Sequence, residues 1–199
     1  ALAELGFDTV LVVGRCEADE AAVDLLASGL PLLECGQCLS GWPEGGGILR
    51  LDPLRRGLNP RADQAAGRTL GMLFQSLAPD VVHTHTSKAG WLGRRAGLRV
   101  RRSGRAHFVL AHTYHGHVLA DYYSGWRSGV LRGLERWAAR RTDLLFAVSP
   151  SCRDELAALR VAPGCQLTPP AVDLQSFRAA GVEPEPGVSP PWRVGLVGR

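Results

Sequence analysis

Residues 79–97 read PDVVHTHTSKAGWLGRRAG, and a change of pattern inside this stretch decides the fold. Val81 and Val82 open a β-branched run that passes into alternating His and Thr, which reads as a strand from Asp80 to His85. From Lys88 onward small and apolar residues recur at helical spacing, so a helix follows after only a short loop. A short strand feeding directly into a helix is half of a βαβ unit. Lys88 stands at the junction and is the chain's only lysine, all other basic residues being arginine.

The same alternation extends along the chain. Thr9–Val13 (TVLVV) ends at Gly14, His107–Thr113 (HFVLAHT) runs into YHGH, Asp143–Ser149 (DLLFAVS) ends at Pro150, and a weaker run lies near Gln166. Between them, residues 62–78 place Ala66, Leu70, Leu73, Phe74 and Leu77 on one stripe, and residues 127–141 do the same with Val130, Leu131, Leu134, Trp137 and Ala138. Residues 151–160 form a third helix, with Ser149 as N-cap and Pro150 at the first helical position. This order predicts an α/β fold, a Rossmann-like parallel sheet with helices on both faces. The opening ALAELGFDTVLVVG reads as the last turn of a helix and then a strand, so the first strand of the domain is expected to be missing. The domain is expected over residues 1–180, followed by a proline-rich linker at 181–191. Residues 192–199 (RVGLVGR ends the chain) read as the first strand of a second, truncated domain.

Composition excludes several functions. The chain has 199 residues, 45% hydrophobic and 21% charged, as expected for a globular protein. No apolar run reaches the roughly 18–20 residues of a membrane span. Five scattered cysteines argue against a disulfide framework and for a reducing compartment. Cys35 and Cys38 form the lone C-x-x-C, in a segment (ECGQCLSGWPEGGG) that reads as glycine-rich loop, so neither zinc nor redox chemistry is expected there. The net charge is +4, and arginines crowd between Arg94 and Arg105 and again between Arg127 and Arg141. Arg132, Arg136 and Arg140 share one helix face, which reads either as a solvated stripe or as an attachment to an anionic membrane, aided by the aromatic VLADYYSGW. No groove-reading motif supports a nucleic-acid partner.

In an open parallel sheet, ligands bind beyond the C-terminal strand ends. Position alone therefore selects His83, His85 and Ser87 after one strand, Thr113, His115 and His117 after the next, and Ser149 after the third. His83 and His85 share a strand face. Lys88 at a helix start suits a phosphate or carboxylate. The two H-x-H pairs leave a metal site, strand-end packing and substrate contact all open. No G-x-S-x-G or G-x-G-x-x-G is present to support a hydrolase or a dinucleotide site.

Taken in order, PDVVHTHTSKAGWLGRRAG, AHTYHGH, LERWAARRTDLLFAVSPSCRDEL, PPAVDLQSF and VGLVGR resemble glycosyltransferase family 4, specifically the N-terminal domain of bacterial polysaccharide-type transferases. The resemblance implies a GT-B architecture of two Rossmann-like domains and transfer of a sugar from a nucleotide-sugar donor with retention, needing neither metal nor other cofactor. It also implies that the N-terminal domain holds the acceptor, a sugar, lipid-linked or phosphorylated one. The cysteine usage and the arginine stripe add the expectation of a cytoplasmic protein, peripheral at the inner face of the membrane. His115 matches the family histidine near the reacting centre. His85, Ser87, Lys88, Thr113, Gly116, His117 and Ser149 fall on the acceptor side, with Arg132 and Arg136 as phosphate or sugar contacts. The family's glycine-rich loop and paired glutamates are not found, and Ala171 stands where glycine is usual. This fragment is therefore expected to be inactive alone. A GT-B nucleotide-sugar epimerase and a non-catalytic basic membrane-docking module are the competing readings.

Overall fold

The computed structural model describes residues 6–15, 30–43, 45–116 and 126–170, with backbone only at 126 and 127. Along the chain run β1 (Val10–Gly14), β2 (Leu32–Leu33), α1 (Cys35–Ser40), β3 (Gly47–Leu51), α2 (Pro60–Leu77) and β4 (Val81–His85). They are followed by α3 (Ser87–Arg102), β5 (Val109–Tyr114), α4 (Trp126–Ala139), β6 (Leu144–Ala147), α5 (Pro150–Ala158) and β7 (Gln166–Leu167). Among the described residues all strand pairs are parallel, in two sheets of order β1-β3-β2 and β4-β5-β6-β7. This is the expected α/β class. The compact unit ends at Pro169, and the linker expected at 181–191 and the strand at 192–199 lie outside the described residues.

Within the sheet β4-β5-β6-β7 the right-handed crossover rule puts α3, α4 and α5 on one face, and α2 packs along α3 beside them. One core joins the two sheets beneath this layer: Leu51 and Leu54 near β3, Ala66, Leu70 and Phe74 of α2, Val82, and Leu92, Ala96 and Val100 of α3. Burying each of the larger side chains stabilises by about 1.5–3 kcal/mol. Small residues let α3 lie close to the sheet. A Cβ on Gly90 would stand 2.4 Å from His112 Cε1, and one on Gly93 would stand 2.7 Å from Thr84 Cγ2.

Several local features depart from the sequence reading. GILRL forms β3, the central strand of its sheet, with every residue but Arg50 buried; the neighbouring glycines had hidden it. The C-x-x-C segment is helical, with Cys35 as the first residue of α1, because Glu34 and Gln37 form a capping box. Burial raises the Cys38 thiol pKa, the opposite of an activated thiol. Helix α2 begins at Pro60, where the Asn59 side chain accepts from Ala62 N.

Helix α4 is rotated relative to its expected apolar stripe. Val130 and Leu134 are exposed, whereas Ser128, Glu135 and Ala138 are buried. The cause is Arg94 of α3, which is fully buried. Its Nη2 donates to Glu135 Oε2 at 2.7 Å, its Nε to Gly90 O at 3.0 Å, and its Nη1 to Tyr114 Oη at 3.4 Å. An unpaired charge at this site would be very costly, so α4 must present Glu135 inward. Burial, and then the Glu135 charge, push the Tyr114 hydroxyl well above its ordinary pKa. Arg94→Met would strand Glu135, and a loss of about 3–5 kcal/mol in urea unfolding is expected. Arg94→Met with Glu135→Leu should recover most of it. A single variant as stable as the parent would contradict this tie between α3 and α4.

Candidate functional site

The β4–β5 register builds the site. His83 lies opposite Ala111, Thr84 opposite His112, and His85 opposite Thr113. Alternation sends Thr84, His112 and Tyr114 toward the helical layer and His83, His85 and Thr113 to the other face. On the helical side Thr84 Oγ1 donates to Ala111 O at 3.1 Å and lies 2.9 Å from His112 Nδ1. The hydroxyl proton is thereby committed, so His112 carries its proton on Nδ1. His112 is buried, and burial, with Arg94 next, lowers its pKa to about 2.

On the other face the histidines form a chain. His83 Nε2 lies 2.8 Å from Thr113 Oγ1, the His83 and His85 rings are 4.4 Å apart, and His85 Nδ1 lies 2.9 Å from His115 Nε2. The two expected strand ends are thus brought together. Burial first, then the neighbouring histidines, lowers the His85 pKa to about 4, and burial and His115 lower that of His83. A doubly protonated pair would set two N–H groups against each other, so one of the two facing nitrogens must lack a proton, and the lowered pKa of His85 leaves that ring neutral near pH 7. Among the described residues no group of three or more metal-ligating side chains has the arrangement to hold an ion.

Backbone strain accompanies the site. Thr86, between His85 and α3, has φ 59, which costs a β-branched residue about 1–3 kcal/mol. As N-cap it makes no side-chain hydrogen bond to the first turn of α3. Ser87, the first helical residue, is exposed. Gly116 has φ 149 with open space where a Cβ would stand. His117 lies outside the described residues.

Other candidate residues are engaged elsewhere. Lys88, expected as a mobile cation, pairs with Asp63 Oδ1 at 2.6 Å and donates to Gly57 O. It tethers the start of α3 to the start of α2 and the loop before it. Ser149 accepts from Cys152 N at 3.2 Å and caps α5. Arg136 is a correction: its Nη2 donates to Leu159 O at 2.7 Å, at the end of α5. That end is the N-terminal edge of the strands, far from a site at their C-terminal ends. Arg132 is half-buried one turn earlier on α4. A cavity of about 170 Å³ lined by Arg140, Asp143, Leu144 and Gln166 also sits at the N-terminal edge and is not joined to the histidines. Sequence reasoning missed Arg94, Glu135, Tyr114 and His112. The one available signal was His112 within the apolar strand HFVLAHT, facing the side of α3 that carries Gly90.

A parallel α/β domain of this kind is Rossmann-like, and its polar cluster lies at the C-terminal strand ends, where open sheets of this class bind ligands. More narrowly, the chain belongs to glycosyltransferase family 4: the profile described as Glycosyltransferase Family 4 matches residues 1–176. No curated protein sequence matches significantly. Among solved structures the fold is similar to sucrose-phosphate synthase from Thermosynechococcus elongatus, at 16% identity and TM-score 0.50, over 87% of this chain and 41% of that one. A second structure under the same enzyme name and organism is 17% identical, covering 90% of this chain and 84% of that one, with TM-score 0.47. The chain thus spans less than half the length of the first of these. Among the described residues no helix is long and apolar enough to cross a membrane.

The lowered histidine pKa values set a pH dependence. A histidine in the unfolded chain takes up its proton near pH 6.5, whereas folded His85 does so only at about 4 and His112 at about 2. Below about pH 6.5 the unfolded state therefore binds more protons, and stability falls with pH. Thermal midpoints should decline between about pH 6.5 and 5, above the carboxylate range. His112→Gln should flatten the slope. A midpoint constant or rising on acidification would contradict the neutral state of His112 and His85.

Proposed function

We propose that this chain is the acceptor-binding side of a glycosyltransferase. The enzyme would act in the cytoplasm, moving a sugar from a nucleotide-sugar donor to a glycan, lipid-linked or small-molecule acceptor with retention and without a metal. The observation that carries the reading is the hydrogen-bonded histidine array at the ends of β4 and β5, in a chain of glycosyltransferase family 4. His115, exposed like His83 and His85, has its Nε2 engaged by His85. Its Nδ1 remains the atom to meet a sugar hydroxyl near the reacting centre. Holding the ring through His85 removes the entropy of orienting it during the reaction.

Ser87, the uncapped first turn of α3 and Gly116 supply the acceptor side of this reading. Lys88 would serve a phosphorylated acceptor only by sharing itself with Asp63. Thr113 acts through His83, its hydroxyl being 2.8 Å from that ring. A further parallel strand between the edges of β1 and β4, each paired on one side among the described strands, would make the two sheets one. The donor nucleotide falls to a second domain, so residues 1–199 alone should turn over no UDP-, GDP- or ADP-hexose.

In the full-length enzyme, assayed on the same donor panel, His115→Ala should lower turnover about a hundredfold or more while leaving the thermal midpoint nearly unchanged. Unchanged turnover would remove His115 from the mechanism. Sugar transfer by residues 1–199 alone would overturn the division of labour.

A further inference from the structure

The outer face of the helical layer carries charge of one sign. Helix α2 packs along α3, and α3 against α4. Arg61 and Arg68 of α2, Arg95, Arg99 and Arg102 of α3, and Arg141 just after α4 are all exposed. On α2 the spacing of Arg61 and Arg68, and on α3 that of Arg95, Arg99 and Arg102, places them on one outward ridge of each helix. The three helices contain only two carboxylates, and both are neutralised from within, Asp63 by Lys88 and Glu135 by Arg94. No carboxylate of these helices offsets the outward arginines.

Apolar side chains stand among those charges. Met72, Val130 and Leu134 are 47%, 52% and 39% exposed, the last two because Glu135 rotates α4 away from its sequence stripe. The half-buried Trp91 and Trp137 meet between α3 and α4 with ring centroids 5.7 Å apart, and Arg141 lies 4.6 Å over the Trp137 ring.

We propose that this three-helix face docks the protein on an anionic phospholipid bilayer. Both components of the surface have a counterpart there. Guanidinium groups meet lipid phosphates, while Met72, Val130 and Leu134 reach the acyl boundary just below them. A nucleic-acid backbone offers the arginines the same phosphates but gives the three apolar side chains nothing to enter. The surface differs from the one read in the sequence, Arg132, Arg136 and Arg140, since Arg136 is held by Leu159 O. The inference rests on surface chemistry and is independent of the reading as a sugar transferase.

Cosedimentation of the chain with phosphatidylcholine vesicles, with and without phosphatidylglycerol, tests it. Binding is expected only with the anionic lipid, weakening as salt rises from about 0.1 M to about 1 M and the screening length falls from about 10 Å to about 3 Å. Arg95→Gln/Arg99→Gln/Arg102→Gln should weaken it more than tenfold, with circular dichroism and thermal midpoint unchanged. Val130→Ser/Leu134→Ser should weaken it severalfold. Equal binding to neutral vesicles, or full binding by the arginine variant, would overturn the proposal. So would tighter binding to double-stranded DNA than to anionic vesicles at equal salt, which would make the face a general polyanion site.

Discussion

Everything at the candidate site depends on the parallel register between β4 and β5. A slip of one residue would exchange the two faces of either strand, sending His83 and His85 under α3 and exposing Thr84. What prevents it is the buried pair of Thr84 and His112 beneath Gly90 and Gly93 of α3. There is room for an imidazole only where α3 lacks a side chain, and the imidazole is satisfied only opposite a hydroxyl. This local constraint places His85 next to His115, 30 residues away in sequence.

A second constraint acts on the helices. Buried Arg94 requires Glu135, and Glu135 sets the rotation of α4. The same network reaches Tyr114, whose carbonyl accepts from Val148 N, so the end of β5 is held on both sides just before His115. One buried charge thus stiffens the site on one face of the sheet and exposes apolar side chains on the outer face of the helical layer. Both effects follow from the cost of leaving a guanidinium unpaired in the interior.

The strand-then-helix order was legible because β-branched runs and helical stripes follow backbone geometry directly. The alternation VVHTHT also revealed that His83 and His85 share a face. The features that escaped are those in which tertiary contact overrides local pattern. Strand β3 is a five-residue run that opens on the last of three consecutive glycines and is interrupted by Arg50, a composition that favours loop when read alone. The α4 stripe pointed Val130 and Leu134 inward, because no periodicity rule can know that Arg94 awaits a carboxylate. Lys88 stood out as a mobile cation, but its partner Asp63 lies on another helix, beyond the reach of spacing arguments. Arg136 looked like a ligand contact for the same reason, and its carbonyl partner lies 23 residues away.

The most direct measurement of the central claim, that β4 and β5 lock their terminal histidines into one hydrogen-bonded unit, is nitrogen NMR of imidazole-labelled protein near pH 7. The account predicts a through-hydrogen-bond coupling between His85 Nδ1 and His115 Nε2, with His112 as the Nδ1–H tautomer and uncharged down to the acid limit of folding. Three independent rings, each titrating near pH 6.5 with no coupling between them, would contradict it.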